Sequence, residues 1–221
     1  MTSIRKTIIL ALSGIMLLST VAFSQATEWQ ADTSHSVLTF KVRHLFSKTE
    51  GKFEDWSASM QFDPEKLEEG SVEVVIQTST VNTDNADRDA HLKSPDFFNV
   101  EEFPTMSFVS SKIEKADDGY LMHGTLTMLG VSKEISIPIE FLGSGPDPWG
   151  GTRAGFSGSV TINRKDFGME WNKAMDKGGY ILGENIDIDI EIEAMQGGCY
   201  AAVSWVPVPI PGVARAPVSL G

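Results

Sequence analysis

Four histidines, a row of alternating acids and one arginine in a helical stretch have the most obvious chemical reach in this sequence. His35 and His44 are nine residues apart on or near one strand. Their side chains therefore point to opposite faces and cannot share a metal ion without a bend. His123 stands apart from both. At helical spacing Arg88, His91 and Leu92 share one face, and Asp84, four residues before Arg88, is placed to pair with it. Asp187, Asp189, Glu191 and Glu193 alternate along one strand. Same-face neighbours on a strand are about 7 Å apart, whereas a calcium ion takes its ligands at about 2.5 Å. One strand cannot close such a site, so the row is expected to be a solvated face that also resists edge pairing.

Nucleophilic and phosphate-binding signatures are missing. Gly155-Phe156-Ser157-Gly158 has no second glycine where a nucleophile elbow needs one. Neither G-x-x-x-x-G-K nor H-E-x-x-H occurs. A lone cysteine, Cys199, excludes an internal disulfide framework and a cysteine zinc site. Acids outnumber bases 30 to 18, for a net charge of −12, so nucleic acid or an anionic bilayer would be held against repulsion. These features predict neither a metal nor a cofactor, and no catalytic group.

The elements that must position these side chains are strands. In Trp56 to Phe62 the even positions are apolar and the odd ones polar. The same period-two stripe runs through Leu38, Phe40 and Val42, through Ile135, Ile137, Ile139 and Phe141, and through Ile186, Ile188, Ile190 and Ile192. Similar segments lie near 71–78, 105–115, 120–129 and 153–163. About eight amphipathic strands, joined by turns such as Asp117-Asp118-Gly119 and Leu129-Gly130-Val131, predict an all-β antiparallel meander. Such a meander closes into an up-and-down barrel or folds into a sandwich, and closure removes exposed edges. The recurring one-sided stripe and its large members favour a barrel that holds something. A barrel filled by its own side chains is the competing reading. Candidate lumen residues are Leu38, Phe40, Val42, Trp56, Met60, Phe62, Val74, Ile76, Phe108, Ile137, Phe141, Phe156 and Ile188.

Two stretches interrupt the meander. Residues 82–103 carry a short helical segment, about Ala86–Lys93, ended by Ser94-Pro95. Residues 164–183 form a long glycine-rich connection whose Phe167, Trp171 and Tyr180 suit a packed cover. By parity His44 falls on the apolar face, either as a structural polar group at a strand end or as an anchor at a pocket mouth. Arg88 and His91 present the same choice.

At the start, Arg5 and Lys6 precede an uncharged run from Thr7 to Val21, followed by small residues at Ala22, Ser24 and Ala26. This is the pattern of a secretory signal peptide. The run is shorter than the roughly 20 residues of a membrane-spanning helix. Cleavage is expected after Ala26, with Ser24 the alternative, giving an exported protein without stable membrane insertion. At the other end, residues 197–221 contain Pro207, Pro209, Pro211 and Pro217 and a single charge, Arg215. Alternating prolines exclude a central strand, so a disordered or polyproline tail is expected, with Cys199 exposed.

Between these ends, residues 27–196 resemble the YceI-like family of bacterial periplasmic proteins. The resemblance is carried by His35-Ser36 with Phe40 and His44, Gly51-Lys52-Phe53 and Phe62-Asp63. It continues through Arg88-Asp89-Ala90-His91-Leu92 and Asp96-Phe97-Phe98. Asp147-Pro148-Trp149-Gly150, Arg153-Ala154-Gly155-Phe156 and Asp166-Phe167-Gly168 complete it. The resemblance implies a lipocalin-like eight-stranded barrel, periplasmic, that carries or sequesters a polyisoprenoid or similar long-chain lipid. It implies no established reaction. The G-x-W of true lipocalins is absent near the first strand. A head group held near His44, Arg88 and His91 is the matching expectation for the polar end of the ligand. A ligand-free structural barrel, or an enzyme using His44 or His91 as a base on an isoprenoid head group, are the rival readings.

Overall fold

The computed structural model describes residues 26–175 and 180–197. The residues expected to form a signal peptide, apart from Ala26, and nearly all of the proline-rich tail, including Cys199, lie outside the described residues. Eleven strand segments form one antiparallel sheet: β1 (Thr27–Ala31), β2 (Val37–His44), β3 (Ser47–Phe53), β4 (Trp56–Phe62), β5 (Ser71–Gln77), β6 (Val81–Asn82), β7 (Thr105–Ala116), β8 (Gly119–Met128), β9 (Val131–Pro146), β10 (Thr152–Asn163) and β11 (Leu182–Gln196). One helix, α1 (Ala86–Lys93), lies between β6 and β7. Among the described residues no helix is long and apolar enough to cross a membrane.

The sheet closes as an eight-stranded barrel because β1/β2, β3/β4 and β5/β6 are each one strand broken by a short irregularity. Strand β11 spans the first break. Its Ala194–Gln196 pair with β1 and its Leu182–Glu191 with β2. The pairing then runs β1 to β4 and β5 on one side of the break, and β2 to β3 and β6 on the other. Strand β5 continues through β7, β8, β9 and β10 back to β11.

Parity assigns the faces. In β4, Trp56, Ala58, Met60 and Phe62 are buried while Ser59 and Gln61 are exposed. The acidic row of β11 faces outward, where Lys41 Nζ donates to Asp189 (2.7 Å), Lys48 Nζ to Asp187 (2.6 Å) and Ser157 Oγ to Glu191 (2.7 Å). These contacts tie β2, β3, β10 and β11 together across the outer face. Where the walls come close, glycine is required. A Cβ on Gly124 would stand 2.5 Å from the Phe108 ring and from the Val109 carbonyl oxygen.

One end of the barrel is filled. Trp29, only 1% exposed, stacks on Phe62 with ring centroids 4.6 Å apart, and its Nε1 donates to the Phe62 carbonyl. Phe156 meets Phe62 edge-on, and Ala154 and Ala194 let the strands approach beneath them. Leu67, from a single 3-10 turn before β5, packs into the same cluster.

Candidate functional site

Above that plug the barrel is hollow in two compartments. The inner one, about 170 Å³, is walled entirely by apolar and aromatic side chains except for Ser71 and the phenol of Tyr120. The outer one, about 420 Å³, adds His44, Thr39, Thr49, Thr83, Asp87, Arg88, His91 and Arg164 to an apolar wall. Leu38, Ile76, Leu126 and Ile188 belong to both walls and mark the waist between them. The wall of the outer compartment includes His44, Asp87 and Arg88, all exposed, so the cavity opens at that end. Many wall residues, Phe40 and Ile188 among them, are only half-buried because their inner faces look onto the void.

Of the candidate lumen residues, Leu38, Trp56, Met60, Phe62, Val74, Ile76, Phe108, Ile137, Phe156 and Ile188 wall the inner compartment. Phe40 and Val42 wall the outer one. Phe141 does neither. It lies on the inward side of β9 but packs on Phe156 at 5.2 Å, within the plug. The reason is strand length. Pairing of β8 with β9 ends at Tyr120↔Ile139, so Phe141 has no β8 partner and instead stands opposite Phe156, the ring that does wall the cavity. His44, Arg88 and His91 all reach the outer compartment.

How those three are held follows from the insertion that carries two of them. Asn85 caps α1, its Oδ1 accepting from the Arg88 amide (2.9 Å). Buried Thr83 donates its amide and hydroxyl to Asp89 and accepts from Arg88, whose Nη2 also donates to the Thr83 carbonyl. Arg88 therefore does not pair with Asp84. The latter precedes the cap with a left-handed backbone (φ 59°), so the helical four-residue spacing does not apply to it. Among the described residues Arg88 has no carboxylate partner. His91 Nε2 lies 2.9 Å from Asp96 Oδ2, and its ring meets Phe97 and Trp171 edge-on at 4.9 and 4.8 Å. Trp171 belongs to the long connection after β10. His91 thus joins the two segments that roof the opening.

Two residues here carry no signal in the sequence pattern. Trp29 belongs to a five-residue strand too short for a stripe. Arg164 follows β10 directly and is 1% exposed, with Nε donating to the Gly183 carbonyl (2.9 Å) and Nη1 to the Met169 carbonyl (2.6 Å). Burial pushes its pKa below the usual arginine value, opposed by the charges of Glu184 and Glu170.

At the plugged end Asp32, His35 and Glu193 approach one another closely enough to suggest a metal site. The Arg153 guanidinium occupies that position, donating to Asp32 (2.7 Å), to Glu193 and to Asp147 (3.2 Å). Burial raises the Asp32 carboxyl pKa, but hydrogen bonds from Arg153, His35 and Ser34 outweigh it and hold the pKa well below the ordinary carboxylate value. This cluster ties the β1–β2 break to the β9–β10 hairpin and β11, and its role is to close the barrel. His35 sits there, while His44 lies at the opening, so the two are at opposite ends of β2.

The barrel is thus hollow and apolar, closed at one end, with basic and hydroxyl side chains at the other. The YceI-like domain matches residues 29–194. The chain belongs to the YceI-like family. Relatives include UPF0312 proteins of Shewanella putrefaciens, 36% identical over 196 residues covering 87% of this chain and 99% of that one, and of Pseudomonas aeruginosa, 36% identical over 182 residues covering 81% and 92%. Among solved structures, the Campylobacter jejuni YceI protein is 36% identical, covering 74% of this chain and 95% of that chain, with a TM-score of 0.59. The Burkholderia cenocepacia protein BcnA shares the fold at 24% identity and a TM-score of 0.66, covering 74% and 98%. So does a polyisoprenoid binding domain from Saccharophagus degradans, at 13% identity and a TM-score of 0.55, covering 76% and 98%.

Proposed function

We propose that this YceI-like protein is an exported carrier that holds a long-chain polyisoprenoid or similar lipid inside its barrel. The tail enters the inner compartment, and the polar end stays among Arg88, His91 and His44. The observation carrying this reading is the cavity itself: apolar but for Ser71 and Tyr120 where Trp29 and Phe62 close it, with its charged groups where it opens. Each methylene moved from water into such a wall gains about 0.8 kcal/mol, so a hydrocarbon chain needs few specific contacts. The polyisoprenoid-binding description of the Saccharophagus degradans domain supports the same ligand class. The carboxylate beside His91 is Asp96, which holds the imidazole against Phe97 and Trp171, an arrangement that favours positioning of a ligand over catalysis. The residues from Arg5 to Ala26 support export to the periplasm.

Native mass spectrometry of protein purified from the periplasmic fraction, followed by organic extraction, tests the reading. A co-purifying prenyl lipid on a chain beginning at Thr27 is expected. An empty barrel that takes up no added prenyl lipid would overturn the carrier role, and turnover of the added lipid would replace it with an enzymatic one.

A further inference from the structure

Arg164 is the buried charged group in the cavity wall that the mouth residues do not account for. Its side chain is 1% exposed, two of its nitrogens are used on backbone carbonyls, and Nη2 has no hydrogen-bond partner while being shielded from solvent. Among the described residues no carboxylate forms an ion pair with it; Lys165 takes the nearby Glu184 instead, at 2.6 Å. A buried donor left unmade costs the desolvation of that donor, and a guanidinium, which stays charged even when buried, is an extreme case. Native structures rarely leave such a group without a reason.

Arg164 lies in the wall of the outer compartment together with Ile162, Met169, Trp171 and Leu182. The polar groups of that wall are mostly donors: Arg88, Arg164, His44, His91 and the hydroxyl of Thr49, against a single carboxylate, Asp87. A cationic head group would meet two guanidinium groups there. An oxygen-bearing one would meet unfilled donors.

We infer that Arg164 is a ligand-specificity residue: its Nη2 donates to an acceptor oxygen, preferentially anionic, at the polar end of the bound lipid. This rests on the carrier reading above and adds the chemistry of the ligand's end group. Arg88, exposed at the rim, meets the head group from the solvent side, and Arg164 meets it from within the wall. The donor belongs to a guanidinium that is 1% exposed, so the hydrogen bond is charge-assisted and solvent competes for it only weakly. A monophosphate, phenolate or carboxylate end suits it; an amine end does not.

The test uses the mature protein and three probes sharing one chain: geranylgeranyl phosphate, geranylgeraniol and the corresponding headless hydrocarbon. Wild type is expected to bind the phosphate about tenfold or more tighter than the hydrocarbon, with the alcohol between them. Arg164→Gln should erase most of that preference while leaving hydrocarbon affinity near wild type. Because Arg164 also holds two carbonyls, the variant could fold poorly, so a second readout uses wild type alone. In protein labelled with 15N-arginine, the Arg164 guanidinium signals should shift on adding the phosphate and stay unmoved by the hydrocarbon. Equal affinity of wild type for all three probes, or Arg164 signals that ignore a bound phosphate, would overturn this inference and leave the carrier role standing. The same shift produced by inorganic phosphate alone at equal concentration would also overturn it, since the anion would then not be a lipid head. Failure of all three probes to bind wild type would instead overturn the carrier reading.

Discussion

At the scale of single residues, charge decides what each end of the barrel does. Arg88 is fixed by Thr83 alone and faces the opening, so its remaining donors are available to a ligand. Arg88→Met should weaken binding of a polar-headed prenyl lipid roughly tenfold, with little effect on a headless hydrocarbon or on Tm. Parallel losses for both ligands, tracking a fall in Tm, would show that Arg88 only fastens the insertion. Arg153 plays the opposite part. Asp32 has a depressed carboxyl pKa, held down by Arg153, His35 and Ser34 against burial, and Asp147 is lowered by the Gly151 amide and also by Arg153. A depressed carboxyl stabilises the fold above its ordinary pKa of about 4 and loses that contribution as the pH falls further. Wild-type Tm should therefore fall below about pH 4 as the carboxyls of this cluster lose that contribution. In Arg153→Met the buried Asp32 loses its counter-charge, and Tm at neutral pH should drop by several degrees. The gap to wild type should then narrow as the pH falls below about 4, because the unfolded chain takes up protons there while Asp32 in the wild-type fold resists them. Melting curves across that range check the sign, and a constant gap would mean that Arg153 acts through packing.

At the scale of elements, period-two alternation made most of the lumen legible, because a barrel wall has one inner and one outer face and little else. Helix α1 was readable for local reasons: Asn85 at its cap and Ser94-Pro95 at its end. What stayed illegible depends on where strands stop. Strand β1 and the strand Ser47–Phe53 lack long stripes, since each supplies only half of a broken strand. Phe141 has lumen parity but lies past the last β8 partner. Arg164 opens a single 3-10 turn, Arg164–Phe167, too short to show a period, and becomes notable only once its burial is seen. The pairing of Asp84 with Arg88 assumed helix one turn too early. The cap itself is testable. Asn85→Ala removes the acceptor for the Arg88 amide and should cost about 1 kcal/mol of stability. Hydrogen exchange should speed up in residues 86–93 well before the barrel amides change. If exchange accelerates uniformly instead, the insertion unfolds only with the whole barrel.

At the scale of the whole molecule, the length of chain that the barrel accepts is set by the distance from the opening to the Trp29–Phe62 plug, and the waist divides that path. Leu38, Ile76, Leu126 and Ile188 stand on β2, β5, β8 and β11, so the constriction is made by strands from around the ring. A larger side chain at one of these positions grows into empty space, which costs less than overpacking a filled core. Leu126→Trp should close the waist and leave the outer compartment and its donors in place. The variant is then expected to keep its affinity for a short prenyl phosphate and to lose it progressively as isoprene units are added, whereas wild-type affinity should rise with each unit until the plug is reached. Competition binding across a series of prenyl phosphates reads this out, with melting curves confirming that the variant is folded. The direction of the length dependence matters more than its size. A tail that ran along the outside of the barrel, or a head that sat at the plugged end, would leave the preference for longer chains unchanged in Leu126→Trp.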